Sequence, residues 1–122
     1  MKIAVLKETF PGEKRVPLIP PSVDKLVKLG AEVEIEAGLG ETCRLPDSDY
    51  EKVGATINAD RQALLKSAEM VLRLRKPPVE EIALMKKGCI HVSYLDPFNE
   101  KEMVTRIKTR IGTLADFIHP IL

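Results

Sequence analysis

The chain has 122 residues, enough for one domain and too few for two of ordinary size. Hydrophobic residues make up 44% and charged residues 30%, with 19 Lys plus Arg against 18 Asp plus Glu. That balance excludes intrinsic disorder and argues against nucleic acid or an anionic membrane as the main partner.

Aromatic residues are only 4% and Trp is absent, so the core has to be aliphatic, as parallel sheets covered by helices are. The chain opens with Lys-Ile-Ala-Val-Leu, an apolar run over 2–6 that enters a polar segment containing Pro11 and Gly12 and reads as a first, central strand. Pro20 and Pro21 open a helix with Val23, Leu26 and Val27 on one face, and Gly30 stands where a left-handed cap would end it. Glu-Val-Glu-Ile-Glu over 32–36 alternates with period two, which predicts a strand with one face in water, near a sheet edge. Gly38 and Gly40 turn the chain, and Asp47 is placed to cap a short helix carrying Tyr50 and Val53 before a brief strand over 55–57. Asp60 caps the next helix, over 61–68, with Leu64 and Leu65 inward. The strand over 70–74 follows, and Pro77 and Pro78 forbid its continuation. A helix over 80–87, acidic at its start, basic at its end and closed by Gly88, leads to a strand over 89–94. A helix over 99–110 and a last strand over 113–117 complete the pattern, one helix short of the expected closure.

This alternation predicts a Rossmann-like (flavodoxin-like) doubly wound, mainly parallel sheet with helices on both faces, forming a single domain over 1–122. No run approaches the roughly 18 apolar residues of a spanning helix, and the N-terminus lacks the features of a signal peptide. A cytoplasmic chain without direct membrane insertion is therefore expected. Cys43, Cys89, His91 and His119 share no metal-ligand spacing, so no metal is expected and both thiols read as reduced core residues. His91 reads as a packed, hydrogen-bonded strand residue.

In an open parallel sheet ligands bind outside the carboxyl ends of the strands. That rule selects Lys7, Glu8, Glu13 and Arg15 after the first strand, Arg75 and Lys76 after the strand over 70–74, and Asp96 after the strand over 89–94. Arg15 and Arg75 could clamp a carboxylate or phosphate with paired guanidinium donors. Equally, each could pair with a nearby acid such as Glu8 or Asp96 and hold the loops. The Gly38-Leu39-Gly40 turn begins like a dinucleotide fingerprint, but Cys43 stands at the third glycine position and Pro46 interrupts what would be the phosphate-binding helix. It reads as a tight turn, and no cofactor-binding residue is assigned on this chain.

Taken in order, several stretches of the chain are similar to the opening of the alanine dehydrogenase and pyridine nucleotide transhydrogenase family. They are Lys7-Glu8, Glu13-Lys14-Arg15-Val16, Val33 to Gly40, Asp49-Tyr50, Gly54-Ala55, Ala68 to Pro77, Glu81, Gly88 and Tyr94-Leu95. The resemblance implies an N-terminal Rossmann-like domain whose enzyme binds NAD(H) on a second domain absent from this chain. Alanine dehydrogenases hold pyruvate with an arginine matching Arg15 and a lysine at the position of Arg75, and use a histidine where this chain has Asp96. An aspartate near pKa 4 is a poorer proton carrier at neutral pH than an imidazole near 6.5. The stretch Glu81-Ile82-Ala83-Leu84, then Gly88, Ser93, Leu95, Pro97 and Asn99, resembles more closely the transhydrogenase alpha-subunit branch, which passes hydride directly between NADH and NADP. That branch implies a cofactor domain and other transhydrogenase subunits as partners, a homodimer, and peripheral attachment at the inner membrane through those subunits. The alternatives are a divergent alanine- or saccharopine-type dehydrogenase domain that binds a keto or amino acid, and a non-catalytic fragment. No residue of this chain is assigned as catalytic.

Overall fold

A computed structural model describes residues 1–75, 77–94 and 113–116. Six strands, β1 (Lys2–Val5), β2 (Glu32–Glu36), β3 (Thr56–Asn58), β4 (Met70–Arg75), β5 (Ile90–Tyr94) and β6 (Thr113–Asp116), form one parallel sheet. The strand order is β3-β2-β1-β4-β5-β6. Of the common doubly wound orders this is the one built from two mononucleotide-type halves, and its direction reverses between β1 and β4. The helices are α1 (Pro20–Lys28), α2 (Asp47–Lys52), α3 (Arg61–Ser67) and α4 (Val79–Ile82). The helix expected over 99–110, and Phe117 and Ile118, lie outside the described residues.

Alternation along the strands sends side chains to two cores. Ile3, Val5, Val33 and Ile35 pack with Val23 of α1 and Tyr50 of α2, while Ala4, Leu6 and Val71 pack with Leu64 and Leu65 of α3 and Ile82 of α4. Full burial of each such aliphatic side chain contributes roughly 1.5–3 kcal/mol, so the two apolar stripes of β1 hold helices on opposite faces. Gly30, at φ +97°, lets the chain leave α1 and enter β2 at once.

Several local expectations change. Asp47 does not cap α2: it is the first helical residue, Pro46 occupies the cap position, and the Asp47 carboxylate accepts from Gly38 N–H at 3.0 Å instead. Asp60 does cap α3, accepting from Ala63 N–H at 3.1 Å. The helix expected over 80–87 ends at Ile82, because turns bonded from Leu84 to Glu81 and from Met85 to Ile82 fold the chain inward and bury Met85 under the sheet. The lysines Lys86 and Lys87 are therefore not its last turn. The glutamate face of β2 is only partly open to water: Glu32 is exposed, whereas Glu34 and Glu36 are half-buried and paired. Glu34 accepts from Asn58 Nδ2 at 2.7 Å and pairs with Lys2 at 3.0 Å, and Glu36 pairs with Arg61 of α3 at 2.6 Å. Burial pushes the Glu34 pKa up, but the bonds from Asn58 and Lys2 outweigh it and leave it below the ordinary range. Cys89 is buried as expected, whereas Cys43 is exposed.

Candidate functional site

The strand order reverses between β1 and β4, the point at which an open parallel sheet places its ligand site, and the residues after those two strands meet there. Glu8 is the staple. Its Oε1 accepts from the backbone N–H groups of both Leu74 and Arg75, the latter at 2.9 Å, so the loop after β1 is tied to the end of β4. Its Oε2 is buried and has no partner among the described residues.

Beside this staple Glu13 joins the two candidate arginines. Arg15 grips it bidentately, Nε to Oε2 at 3.0 Å and Nη2 to Oε1 at 2.7 Å, and Arg75 donates from Nε to Oε1 at 2.9 Å. The Glu13 side chain retains only 4% of its exposure, and these bonds, those from Arg15 first, bring its pKa down to about 2 against the opposing effect of burial. The Arg75 guanidinium carbon lies 4.3 Å from the Phe10 ring centroid, a cation–π contact. Arg15 and Arg75 thus share one rim, as the strand-end rule anticipates, but their common acid is Glu13. Glu8, one of the acids first considered as a partner, binds backbone instead. Two further candidates, Lys76 and Asp96, lie outside the described residues.

Beside this rim runs a second polar network. Arg61 donates to both oxygens of Glu81, to Glu36 Oε1 and, at 2.9 Å, to the carbonyl of Lys7. Arg73, 1% exposed in the middle of β4, donates to Glu81 Oε1 at 2.6 Å. Burial pushes the Glu81 pKa up, but the bonds from Arg61 and Arg73 more than reverse it, so the carboxylate stays ionised between two guanidiniums. His91 and Ser93 of β5 lie on the same buried side, with His91 Nδ1 3.4 Å from Ser93 Oγ. Burial first and the charge of Arg73 second bring His91 down to about 3, so the imidazole is neutral at physiological pH. A lone Arg within an apolar run carries no sign of its partner, so the sequence does not announce the burial of Arg73. Glu81, eight residues on, becomes that partner only when α4 folds back over β4.

Among the described residues, two stretches with the position of a phosphate-binding turn lack its chemistry. After β1, where a pyrophosphate would approach backbone N–H groups, stand Glu8 and Glu13. The Gly38-Leu39-Gly40 turn leads into a single 3₁₀ turn, Glu41–Cys43, and not into a long helix. A Cβ at Gly40 would lie 2.6 Å from both Cβ and O of Leu45, so this glycine serves chain packing. Among the described residues no group of His, Cys, Asp and Glu could hold a metal ion, and no helix is long and apolar enough to cross a membrane.

Residues 4–117 match the family described as alanine dehydrogenase/PNT, N-terminal domain. The chain belongs to this family. It is 35% identical over 115 residues to the first portion of the NAD(P) transhydrogenase alpha subunit of Rhodospirillum rubrum, covering 90% of this chain and 30% of that protein. An alanine dehydrogenase of Halomonas elongata is 39% identical over 95 residues, covering 78% of this chain and 26% of that protein. Among solved structures, a transhydrogenase from Sinorhizobium meliloti superposes with a TM-score of 0.82 at 34% identity, over 88% of this chain and 32% of that one. An L-alanine dehydrogenase superposes with a TM-score of 0.84 at 33% identity, over 94% of this chain and 31% of that one. The chain thus spans about a third of the length of these relatives. Within the family fold, the Glu13 junction and the Glu81 network are the polar features that define the rim and its support.

Proposed function

We propose that this chain is the N-terminal part of a proton-translocating NAD(P) transhydrogenase alpha subunit. It supports hydride transfer between NADH and NADP by a cofactor domain that lies on another part of the enzyme. In this reading it associates as a homodimer, reaches the inner membrane only through partner subunits, and stays on the cytoplasmic side. The intact enzyme supplies nicotinamide chemistry, in which hydride passes directly between two cofactors and needs no acid or base from this chain. The observation that carries the reading is the Glu13 junction. One shielded carboxylate orients both rim guanidiniums, and Arg75 rests on Phe10, which makes a stiff, internally paired surface for a neighbouring domain.

A keto- or amino-acid dehydrogenase domain is the second reading, favoured by the exposure of the rim arginines, 61% for the Arg15 side chain and 40% for Arg75. Two assays on the intact enzyme separate the readings: hydride transfer from NADH to an NADP analogue with a distinguishable absorbance, and NADH oxidation driven by pyruvate with ammonium. The first without the second is expected. Pyruvate-dependent oxidation that Arg15→Ala abolishes would overturn the transhydrogenase reading in favour of the dehydrogenase.

A further inference from the structure

The segment between β1 and α1 carries Glu8, Phe10, Glu13 and Arg15 over a dozen residues without regular structure, so its shape depends on anchors. Lys7 N–H donates to Glu36 at 2.7 Å, Glu8 ties to β4, and at the far end Tyr50 Oη donates to the Leu18 carbonyl at 2.8 Å. Midway, at Lys14, the anchor comes from an unexpected direction. Thr42 Oγ1 donates to the Lys14 carbonyl at 2.7 Å, and Cys43 Sγ lies 3.3 Å from the same oxygen.

The peptide unit between Lys14 and Arg15 is planar, with its C=O and N–H pointing oppositely. The C=O end is the one held by Thr42 and Cys43. The N–H end, that of Arg15, donates to Glu13 Oε2 at 3.1 Å. Fixing one end of a rigid plate fixes the other, and the other end holds the carboxylate on which both guanidiniums depend. The turn is stiff enough to act as an anchor. Leu39 is buried in the core, Cys43 N–H and Leu45 N–H both bond to the Gly40 carbonyl at 3.0 and 2.9 Å, and Gly38 N–H is held by Asp47. Lys7 Nζ and Glu41 pair at 3.1 Å, joining the same turn to the start of the loop. Arg44 closes it in the left-handed region at φ 57°, a conformation that a non-glycine residue keeps only when its surroundings impose it.

We infer that Thr42 and Cys43 are positioning residues for the arginine rim: by holding the Lys14 carbonyl, the glycine-containing turn over 38–45 sets the orientation of Glu13 and hence of Arg15 and Arg75. The inference rests on the rim geometry and not on the transhydrogenase reading, so either can fail alone.

The test uses NMR of the full chain, following the ¹³C titration of the Glu13 side-chain carboxyl and the Nε–H signals of Arg15 and Arg75. Thr42→Val keeps the side-chain shape and removes the donor, and Cys43→Ala removes the second contact. Each alone, and more strongly the two together, is expected to raise the Glu13 midpoint from about 2, by about one pH unit in the double variant. Both Nε–H signals should shift or exchange away, while Thr42→Ser retains the original values. Tyr50→Phe frees the Leu18 end of the same loop and should lower thermal stability with the Glu13 midpoint unmoved. An unchanged midpoint with unchanged Nε–H signals in the double variant would overturn the inference. So would equal effects from Tyr50→Phe and Thr42→Val, which would reduce the turn to general support.

Discussion

Replacing His91 by Gln should flatten the acid dependence of stability between pH 7 and pH 5. His91 is fully buried on β5, in register between Val71 of β4 and Leu114 of β6, and its pKa falls from the ordinary 6.5 to about 3. A neutral imidazole in the fold and a titrating one in the unfolded chain mean that the unfolded state takes up a proton first. Stability is therefore complete above about pH 6.5 and declines as the pH falls toward 3. Each pH unit in that window corresponds to about 1.4 kcal/mol, so the loss from pH 7 to pH 5 is about 2 kcal/mol. For a chain of this size that lowers the melting temperature by about 8 °C. The three carboxylates with displaced pKa values, Glu13, Glu34 and Glu81, do not blur the window, because all lie below their ordinary 4.5 in the fold. Their stability is present above the unfolded value and is lost only as the pH falls further. The second histidine, His119, is common to both proteins and cancels in the comparison. Urea denaturation of wild type and His91→Gln at half-unit pH intervals gives the two slopes. Parallel profiles between pH 7 and pH 5 would refute the burial argument, whatever the absolute stability of the variant.

Glu81→Gln removes the charge shared by Arg61 and Arg73 and leaves the 1%-exposed Arg73 without its counterion, for an expected loss of about 3 kcal/mol in urea denaturation at pH 7. A loss below about 1 kcal/mol would mean that Arg73 finds another partner or water. Gly40→Ala places a methyl 2.6 Å from the backbone oxygen of Leu45, which cannot rotate aside, and should destabilise by about 1–3 kcal/mol. Calorimetry showing an unchanged melting temperature for that variant would remove the packing account of the turn.

Local pattern alone was sufficient for most of the scaffold. The apolar run at β1, the prolines opening α1, Asp60 at the start of α3 and the alternation in β2 each announce their element through backbone rules that act within a few residues. The strand-end rule likewise brought Glu8, Arg15 and Arg75 to one rim without coordinates. It failed where a side chain had a choice of partners. Asp47 has the spacing of a cap, yet its carboxylate serves Gly38, and on the Glu-rich face of β2, which alternation alone leaves in water, Glu36 pairs with Arg61 of α3 while Glu32 stays exposed.

What the sequence determined by itself is the alternation of strands and helices and the family to which the chain belongs, since both are written in residues close together or in fixed order. What only the tertiary structure decided is pairing across distance. Glu13 joins Arg15 and Arg75 across 62 residues, Glu81 is shared between Arg61 and Arg73, and the Lys14 carbonyl is held from a turn 28 residues on. An ion or hydrogen-bond donor chooses its partner by distance and burial, and those are set only once the sheet has brought the strand ends together.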